Sequence, residues 1–315
     1  MLFARNVSGR LFAKDPAVVK LHGVYWLYHS LSPKTDGPGW TIGIAQSTDL
    51  EHWEVAGEIK PTQECEKNGI AAPGAIVLDG AIHLFYQTYG NGRLDAICHA
   101  VSTDGITFRK DETNPVYRPE ATWCCGRAID ADLCVFGGRL HLYFATRDHA
   151  FRIQKVGGAA AELGSGFSAG AWKPLANQAL LSPELSWEGE CIEAPACLCH
   201  DGRIYLFYGG SYNCTPQQIG CAVSSDGVFF ERTGVEPILA NGPAGAWNAS
   251  ESGHPFVFRD DDGRVHLFYQ GSPDNGETWY LSRVEIGFQD GKPFVCEGTF
   301  SAECGLTGES CSTET

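Results

Sequence analysis

Apolar and aromatic residues recur along the chain in one short pattern, a glycine followed by a run of β-branched and aromatic residues. The pattern occurs five times, with its glycines 57 to 64 residues apart: Gly23-Val-Tyr-Trp-Leu-Tyr28, Gly80-Ala-Ile-His-Leu-Phe-Tyr86, Gly138-Arg-Leu-His-Leu-Tyr-Phe144, Gly202-Arg-Ile-Tyr-Leu-Phe-Tyr208 and Gly263-Arg-Val-His-Leu-Phe-Tyr269. Each glycine stands at a turn, where a positive φ angle is cheap, and the residues after it are those that strands prefer. The sequence therefore predicts five similar β units.

A shorter apolar strand precedes each of these glycines, and a third segment follows most of them. The third segment ends in a serine-rich turn with an aspartate, as at Asp49, Asp104 and Asp226, and an aromatic residue then begins a fourth strand. Four strands in each unit, with no convincing amphipathic helix, predict an all-β protein of about twenty strands. A closed ring of four-stranded antiparallel sheets hides that many edges, so we predict a five-bladed β-propeller.

The repeats predict a single five-bladed propeller domain over residues 1–300 and a small, polar, flexible tail over residues 301–315. In the fifth unit, Pro293-Phe-Val-Cys296 predicts a fourth strand of its own, so the ring does not require strand exchange with the N-terminus. The stretch from Gly157 to Gly170 is rich in alanine and glycine and weakly patterned, and we predict a long loop there.

Charge and composition narrow the class of partner. Lysine and arginine number 23 against 38 aspartates and glutamates, a net charge of −15, which argues against nucleic acid and against an anionic membrane surface. The N-terminus has no basic segment followed by a long apolar one, as a signal peptide would. The 13 cysteines lack zinc-type spacing and are interpreted as buried reduced thiols. We expect a cytoplasmic enzyme that acts on a neutral compound.

Ionisable side chains stand just before the first strand in four of the five units. Counted back from the turn glycine, the equivalent places hold Asp15, Asp130, the pair Glu193-Ala194 and His254. Polar groups that converge on a central channel are costly to bury unless they are used. Glycosyl transfer to water needs such a set, because one acid protonates the leaving oxygen and one carboxylate activates water or attacks the anomeric carbon. A third acid nearby raises the pKa of a general acid by like-charge repulsion.

Four motifs resemble those of glycoside hydrolase family 43 in their order and blade positions, from residue 12 to residue 290: Lys14-Asp15-Pro16, Ala128-Ile129-Asp130, Ile192-Glu193-Ala194-Pro195 and Gly253-His254-Pro255. That family comprises five-bladed propellers that act as inverting arabinofuranosidases, xylosidases and arabinanases. The resemblance implies that Asp15 is the general base and Glu193 the general acid, and that Asp130 modulates pKa and orients the site. It also implies that His254 is the family's central histidine, which often contacts a water or a calcium ion in the channel. No other cofactor is expected.

Two of these assignments have rivals within the sequence. Asp132 lies on the same strand face as Asp130, which we prefer because it keeps the spacing that Asp15 has from its turn glycine. Glu190 is a weaker rival to Glu193. Substrate-binding residues are expected around the same opening, and the candidates from loops and strand ends are Trp40, Trp123, Arg127, Trp187, Trp247, Tyr212 and Asn213.

Three other functions are open at this point. A retaining fructan hydrolase would share the topology, although its Asn-Asp-Pro-Asn and Arg-Asp-Pro motifs are missing. A glycoside phosphorylase needs a basic phosphate pocket, and Arg127, Arg147 and Arg152 keep that alternative open. A sugar-binding propeller without catalytic activity is the third, and the three intact acids argue against it.

Overall fold

The computed structural model of the chain describes residues 1–34, 37 and 39–298. It begins with a two-stranded antiparallel hairpin, β1 (Arg5–Val7) and β2 (Arg10–Phe12). Blade one comprises β3 (Lys14–Leu21), β4 (Val24–Leu31), β5 (Thr41–Ser47) and β6 (Glu54–Ile59). Blade two comprises β7 (Ile70–Leu78), β8 (Ala81–Thr88), β9 (Ile97–Ser102) and β10 (Arg109–Lys110).

Blade three comprises β11 (Ile129–Phe136), β12 (Arg139–Arg147), β13 (Gln154–Glu162) and β14 (Lys173–Pro174). Blade four comprises β15 (Ile192–His200), β16 (Arg203–Gly210), β17 (Gln218–Ser224) and β18 (Glu231–Arg232). Blade five comprises β19 (Glu251–Arg259), β20 (Val265–Ser272), β21 (Tyr280–Gln289) and β22 (Lys292–Val295). Within the described residues, three short 3-10 helices lie in connections, at Glu64–Glu66, Gly92–Leu94 and Ser186–Glu188.

The five blades form a closed ring around one axis. Within every blade the four strands pair in chain order and antiparallel, and the first strand of each blade packs against the first strand of the next, with β19 closing on β3. The prediction of an all-β, five-bladed propeller is confirmed. Within the described ranges, no helix is long and apolar enough to cross a membrane. The predicted tail, residues 301–315, lies outside the described residues.

The second strand of each blade is buried on both faces, because it lies between two neighbouring blades. Two consecutive aromatic positions carry this packing and point to opposite faces. The first holds Tyr28, Phe85, Tyr143, Phe207 and Phe268, and the second holds His29, Tyr86, Phe144, Tyr208 and Tyr269. Each such ring contributes roughly 1.5–3 kcal/mol by leaving water. The repeated aromatic pattern in the sequence is therefore the core of the propeller.

The prediction of a long loop from Gly157 to Gly170 is wrong over its first residues, which belong to β13. Gly157 and Gly158 are in this strand because neighbouring side chains leave no room for larger residues. A Cβ atom at Gly157 would lie 2.6 Å from Phe144 Cζ, and one at Gly158 would lie 2.7 Å from Leu180 Cδ1. The alanines and glycines mark close packing within the blade rather than an irregular loop.

One backbone position in each blade joins it to the next blade around the ring. We call these five residues the junction residues. Each lies two positions before the first residue of the third strand that pairs with the outer edge of its blade. They are Trp40, Asp95, Gln154, Gln217 and Trp279. Four of their carbonyl groups accept a hydrogen bond from a backbone N–H of the next blade, at 3.0–3.1 Å, the donors being Ile70, Ala128, Ser252 and Ala13. Gln154 forms the equivalent bridge to Cys191. These contacts set the spacing between blades.

The N-terminal segment completes the outer edge of blade five. β22 is the predicted fourth strand of that blade, but its pairing with β21 covers only one half of β21. At the other half, Phe3 and Leu281 exchange two backbone hydrogen bonds of 2.8 and 2.9 Å. In blades two, three and four, residues that follow the third strand in the chain make this pairing, namely Tyr117, Leu181 and Leu239. Residues from opposite ends of the chain therefore close the ring.

Replacing Phe3 by alanine tests this closure. The Phe3 side chain is 8% exposed and packs in the core beside Leu281, so its loss should lower the free energy of unfolding by roughly 3 kcal/mol. Urea unfolding followed by tryptophan fluorescence measures the change. Leu2→Ala is the matched control, because Leu2 is 38% exposed and should change stability little. Equal effects of the two substitutions would contradict a closing role for Phe3.

Candidate active site

Every first strand leaves its regular pairing with the second strand at one place near its start. The pairing shifts at equivalent positions in β3, β7, β11, β15 and β19. One residue in each irregular stretch has a positive φ angle of 42–54°, and we call these the bulge residues: Asp15, Ala72, Asp130, Ala194 and His254. A left-handed backbone costs a non-glycine residue about 1–2 kcal/mol, and such strain is typical of functional sites.

The bulge corrects one part of the sequence interpretation. Asp15, Asp130 and His254 are structurally equivalent, but Glu193 precedes the bulge residue of its blade, which is Ala194. Glu193 therefore occupies the position that Lys14 has in blade one and Ala71 in blade two. Its side chain enters the centre from a different backbone site than the two aspartates do.

In four blades, the backbone N–H of the bulge residue donates a hydrogen bond to a side chain of the preceding blade. Gln270 Oε1 accepts from Asp15 N at 3.1 Å, Ser30 Oγ from Ala72 N at 2.7 Å, and Gln87 Oε1 from Asp130 N at 2.7 Å. These three acceptors stand at one equivalent position of the second strand. Blade four has Gly209 there, and the junction residue Gln217 accepts from His254 N at 3.0 Å instead. Hydrogen bonds across the blade interface thus offset the cost of the bulge.

The bulges surround a cavity of about 150 Å³ at the centre of the ring. Of the predicted site residues, seven line it: Asp15, Trp40, Arg127, Asp130, Glu193, Tyr212 and His254. The sequence interpretation also named Asn213, which lines it too. Lining residues without a predicted role include Lys14, Gln87, Tyr89, Arg147 and Gln154. The cavity is smaller than the roughly 300–1,000 Å³ of sites for drug-sized ligands, and it therefore suits a small group such as one sugar ring.

Three predicted sugar-binding tryptophans lie elsewhere. Trp247 packs against Gly271 in blade five, with its ring centroid 5.4 Å from that of Tyr269. Trp187 stacks on Tyr208 with ring centroids 6.0 Å apart, and its Nε1 donates to the Val235 carbonyl at 2.9 Å. Trp123 packs against Gly157 in blade three. None of these three tryptophans lines the cavity, because each fills space beside a glycine of the blade sheet, where a side chain is missing.

The rivals to the central acids are also placed outside the cavity. Asp132 turns into the interface of blades three and four, where its Oδ2 accepts from the Cys197 backbone N at 2.7 Å. Burial raises the pKa of Asp132 to about 7, so it is a buried acid between blades. Glu190 is half exposed and pairs with Arg152 at 2.8 Å. Asp130 and Glu193 are the members of these pairs that face the centre.

Burial raises the pKa of Asp130 to about 7 as well. The neighbouring carboxylates of Glu193 and Asp15 raise it further, while His254 and Arg127 act in the opposite direction. At neutral pH, Asp130 therefore carries its proton in a large fraction of molecules. A protonated Asp130 repels the two other acids of the centre less than a third negative charge would.

Two glutamines hold the Glu193 carboxylate. Gln217 Nε2 donates to Glu193 Oε1 at 2.6 Å, and Gln154 Nε2 donates to Glu193 Oε2. The amide orientations follow from the other partners, because the His254 N–H and the Arg147 guanidinium can only donate, and each faces a glutamine oxygen. Both glutamines must therefore present their NH₂ groups to Glu193, which fixes the direction of its carboxylate.

The sequence interpretation missed both glutamines, although they follow from the repeat. Gln154 and Gln217 are junction residues, two places before the paired residue of the third strand. The same position holds Trp40 on the cavity wall and Asp95, whose Oδ2 lies 3.5 Å from Arg127 Nε. Counting back from the third strand as well as from the turn glycine would have found them.

The Asp15 and His254 side chains contact each other across the closing junction of blades five and one, with Oδ1 and Nδ1 3.1 Å apart. This contact uses a histidine atom that the predicted channel calcium or its water could have engaged. Among the residues that the structure describes, no group of three or more His, Cys, Asp or Glu side chains is arranged to hold a metal ion. The donor set does not fit a directly ligated metal, and we derive no chemical step through one.

Three cations border the acids. The Lys14 ammonium lies 4.1 Å from the centroid of the Trp279 ring. Burial lowers the pKa of Lys14, but Asp15, Glu251 and Glu193 more than offset this, and the pKa is raised. Arg147 lies between the rings of Phe151 and Tyr212, at 4.7 and 5.0 Å from their centroids. The Lys14 ammonium thus stays charged, and the Arg127 and Arg147 guanidinium groups also line the cavity.

Comparison with known proteins identifies the class. The sequence profile described as "Glycosyl hydrolases family 43" matches residues 4–292. The protein is therefore a glycosidase built on a five-bladed propeller. Within that class, the chain belongs to glycoside hydrolase family 43, and the resemblance inferred from its motifs is confirmed.

Solved structures share the fold at low sequence identity. A thermostable family-43 glycoside hydrolase superposes with a TM-score of 0.73 at 20% identity, over 98% of this chain and 100% of that one. An alpha-L-arabinofuranosidase from Lactobacillus brevis superposes with a TM-score of 0.69 at 18% identity, over 89% and 93%. At such identities the likeness establishes the fold.

A curated relative matches part of the sequence. It is a beta-1,2-mannobiose phosphorylase from Thermoanaerobacter sp. (strain X514), 28% identical over 131 residues. The match spans 37% of this chain and 41% of the relative, which is less than half of either protein.

Removing the Gln217 amide tests how Glu193 is positioned. Gln217→Ala should lower kcat by roughly 100-fold with little change in KM, because the carboxylate loses its fixed direction while the sugar contacts remain. Steady-state kinetics on a nitrophenyl glycoside that the wild-type enzyme hydrolyses measure both constants. Gln289→Ala, on the exposed end of β21, is the control and should leave both unchanged. A raised KM with an unchanged kcat would show that Gln217 binds substrate instead.

Proposed function

We propose that the protein hydrolyses the bond to a terminal neutral sugar of a plant or algal saccharide and inverts the anomeric configuration. The observation that carries the proposal is the meeting of Asp15, Asp130 and Glu193 in one cavity of about 150 Å³. A cavity of this size accommodates one ring, so the terminal sugar enters it and the remainder of the substrate stays outside.

In the proposed reaction Glu193 is the general acid and Asp15 the general base. A water molecule attacks the anomeric carbon, Asp15 takes a proton from that water, and the glycosidic C–O bond breaks as Glu193 gives its proton to the leaving oxygen. The fixed direction of the Glu193 carboxyl group supports its role, because a proton donor must lie within hydrogen-bond reach of the leaving oxygen. The inverting outcome rests on the family resemblance of the motifs.

Asp130 is proposed as the acid that keeps a proton at the centre. Its pKa of about 7 leaves it largely neutral below neutral pH, so it does not repel the electrons of a nearby carboxylate or of the leaving oxygen. A protonated carboxyl group can also donate a hydrogen bond to a sugar hydroxyl. Trp40 and Tyr89, with ring centroids 5.0 Å apart, are proposed as the apolar wall for the sugar.

Substituting the two proposed catalytic residues should give different results with different leaving groups. Glu193→Gln should lower kcat by about 10²–10⁴-fold on an oligosaccharide, yet retain most activity on a 2,4-dinitrophenyl glycoside, which needs no protonation. Asp15→Asn should lower both rates, because water still needs a base. A panel of arabinofuranosides, xylosides, galactosides and fructosides identifies the sugar, and NMR of fresh reaction mixtures reports the anomer formed first.

Glu190→Gln is the matched control for Glu193→Gln. Glu190 lies three residues away, is half exposed and does not line the cavity, so its substitution should leave kcat within about 2-fold. Retention of the anomeric configuration would overturn the inverting mechanism and favour the fructan-hydrolase alternative. Equal losses of kcat in the Glu193→Gln and Glu190→Gln variants would contradict the proposed role of Glu193.

A specific observation favours phosphorolysis as a second candidate. Arg127 and Arg147 line the same cavity, and the partial match to a phosphorylase adds a sequence likeness. In this reaction a phosphate oxygen attacks the anomeric carbon in place of water, the glycosidic C–O bond breaks, and the leaving oxygen takes a proton from Glu193. The products are a sugar 1-phosphate and the shortened saccharide.

Phosphorus NMR separates the two candidates. With inorganic phosphate present, a phosphorylase forms sugar 1-phosphate and shows little turnover without phosphate, whereas a hydrolase gives free sugar under both conditions. If phosphate is the nucleophile, Arg127→Ala should weaken phosphate dependence by roughly 10–100-fold in KM. Arg139→Ala, at the exposed first residue of β12, is the control. We expect free sugar and no dependence on phosphate.

A further inference from the structure

We propose that Glu251, a buried carboxylate outside the catalytic cavity, is a positioning residue for the proposed base Asp15 and acts on it through Gln270. Glu251 is the first residue of β19, and its side chain is fully buried. It does not line the cavity, so it takes no part in the chemical steps described above. The inference rests on the proposed function, because it concerns how the base of that reaction is held.

The Gln270 amide connects Glu251 to Asp15. Its Oε1 accepts from the Asp15 backbone N–H at 3.1 Å, and its Nε2 donates to Glu251 Oε1 at 2.6 Å. The Asp15 N–H can only donate, so the amide oxygen of Gln270 must face it and the NH₂ group must face Glu251. Asp15 is a bulge residue with a φ angle of 54°, and a strained backbone persists only where its surroundings hold it. The hydrogen bond from Gln270 therefore helps to set the place from which the Asp15 carboxyl group reaches the cavity.

The surroundings of Glu251 match a carboxylate. Its Oε1 accepts from Gln270, and its Oε2 accepts from the Cys214 backbone N–H at 2.7 Å. Both partners donate, so a proton on either oxygen would displace one of them. Burial raises the pKa of Glu251 and the Glu193 carboxylate acts in the same direction, whereas the Lys14 ammonium and the two hydrogen bonds oppose this rise. A carboxylate satisfies both donors, and a neutral amide at the same position would satisfy only one.

Blade four holds the proposed acid with the same kind of arrangement. There the Gln217 amide donates to Glu193 and accepts from the His254 backbone N–H. Gln270 has the same two kinds of partner, a glutamate carboxylate and the N–H of a bulge residue. The difference is that Glu193 faces the cavity, whereas the carboxylate bound to Gln270 is enclosed. The enclosed carboxylate is therefore placed to hold the amide and not to contact the sugar.

Gly253 brings the two arrangements against one position of β19. A Cβ atom at Gly253 would overlap Gln217 Oε1 and would lie 2.9 Å from Glu251 Oε1. Any larger residue would displace one of these two oxygens. The supports of the proposed acid and of the proposed base thus pack against the same residue.

Exchanging the two side chains tests the role of Glu251. Glu251→Gln alone places an amide between two donors, and Gln270→Glu alone places two carboxylates face to face. Each should lower kcat by roughly 10–100-fold with little change in KM, because Asp15 moves while the sugar contacts remain. In the double variant Glu251→Gln/Gln270→Glu, the exchanged carboxylate accepts from the Asp15 N–H and from the exchanged amide, whose oxygen accepts from the Cys214 N–H. This variant should return kcat to within roughly 5-fold of the wild-type value.

The leaving group shows on which side of the reaction Glu251 acts. Displacement of the base should slow hydrolysis of an oligosaccharide and of a 2,4-dinitrophenyl glycoside by equal factors, whereas Glu193→Gln should largely spare the second substrate. Glu66→Gln is the matched control, because Glu66 is also fully buried, accepts hydrogen bonds with both oxygens and does not line the cavity. It should lower the free energy of unfolding without changing kcat, and urea unfolding of every variant separates stability from kinetics.

A second measurement needs no turnover. His254 Nδ1 lies 3.1 Å from Asp15 Oδ1, so displacement of Asp15 should shift the ¹⁵N NMR signals of the His254 ring in both single variants, and the double variant should return them. If the wild-type enzyme hydrolyses no glycoside, that result counts against the proposed function alone, and the NMR comparison decides the role of Glu251. The inference is overturned if the single variants leave the His254 signals unchanged, or if the double variant loses as much as the single ones.

Discussion

The backbone hydrogen bond at each junction residue is the constraint on which the rest of the structure depends. A propeller brings one strand per blade to a common axis, and the distance between neighbouring first strands decides whether their side chains can share a centre. In four blades the junction carbonyl accepts a hydrogen bond of 3.0–3.1 Å from an N–H of the next blade, and in the remaining one Gln154 bridges to Cys191, so these contacts hold neighbouring blades together. Because that contact uses only the backbone, the five junction side chains are free to differ, and they divide the centre into a polar and an aromatic side.

Besides the junctions, the bulges determine how side chains reach the centre of the ring. Asp15, Asp130 and His254 reach the axis from strained residues, and side chains of the preceding blades hold that strain in place. Glu193 instead comes from a regular strand position and owes its direction to two glutamine amides. Acids of the same chemical type thereby acquire different surroundings: Asp130 is desolvated and keeps a proton near neutral pH, whereas Glu193 accepts two hydrogen bonds.

Sequence reasoning was most successful where the repeat itself carries the information. The five glycine turns with aromatic strands predicted the propeller, because both faces of each second strand are buried and must be apolar. The acids before the first strands were found by the same count. Trp123 and Trp187 were not distinguishable from cavity residues, since an indole that fills space beside Gly157 or Gly210 has the same sequence setting as one that faces a sugar. Gln154 and Gln217 were missed because neutral amides give no chemical signal until their partners are known.

The contacts between blades five and one affect when the centre can assemble during synthesis and folding of the chain. Asp15 lies in the first strand to be synthesised among the blades, yet its bulge is held by Gln270, 255 residues later, and its side chain meets His254. Contacts of such long sequence separation form late, because the loop between them must be closed first. A nascent chain can therefore build blades one to four without assembling the centre. The last blade to leave the ribosome brings Gln270 and His254 to the centre, so partly made chains carry the acids without the contacts that hold Asp15 in place.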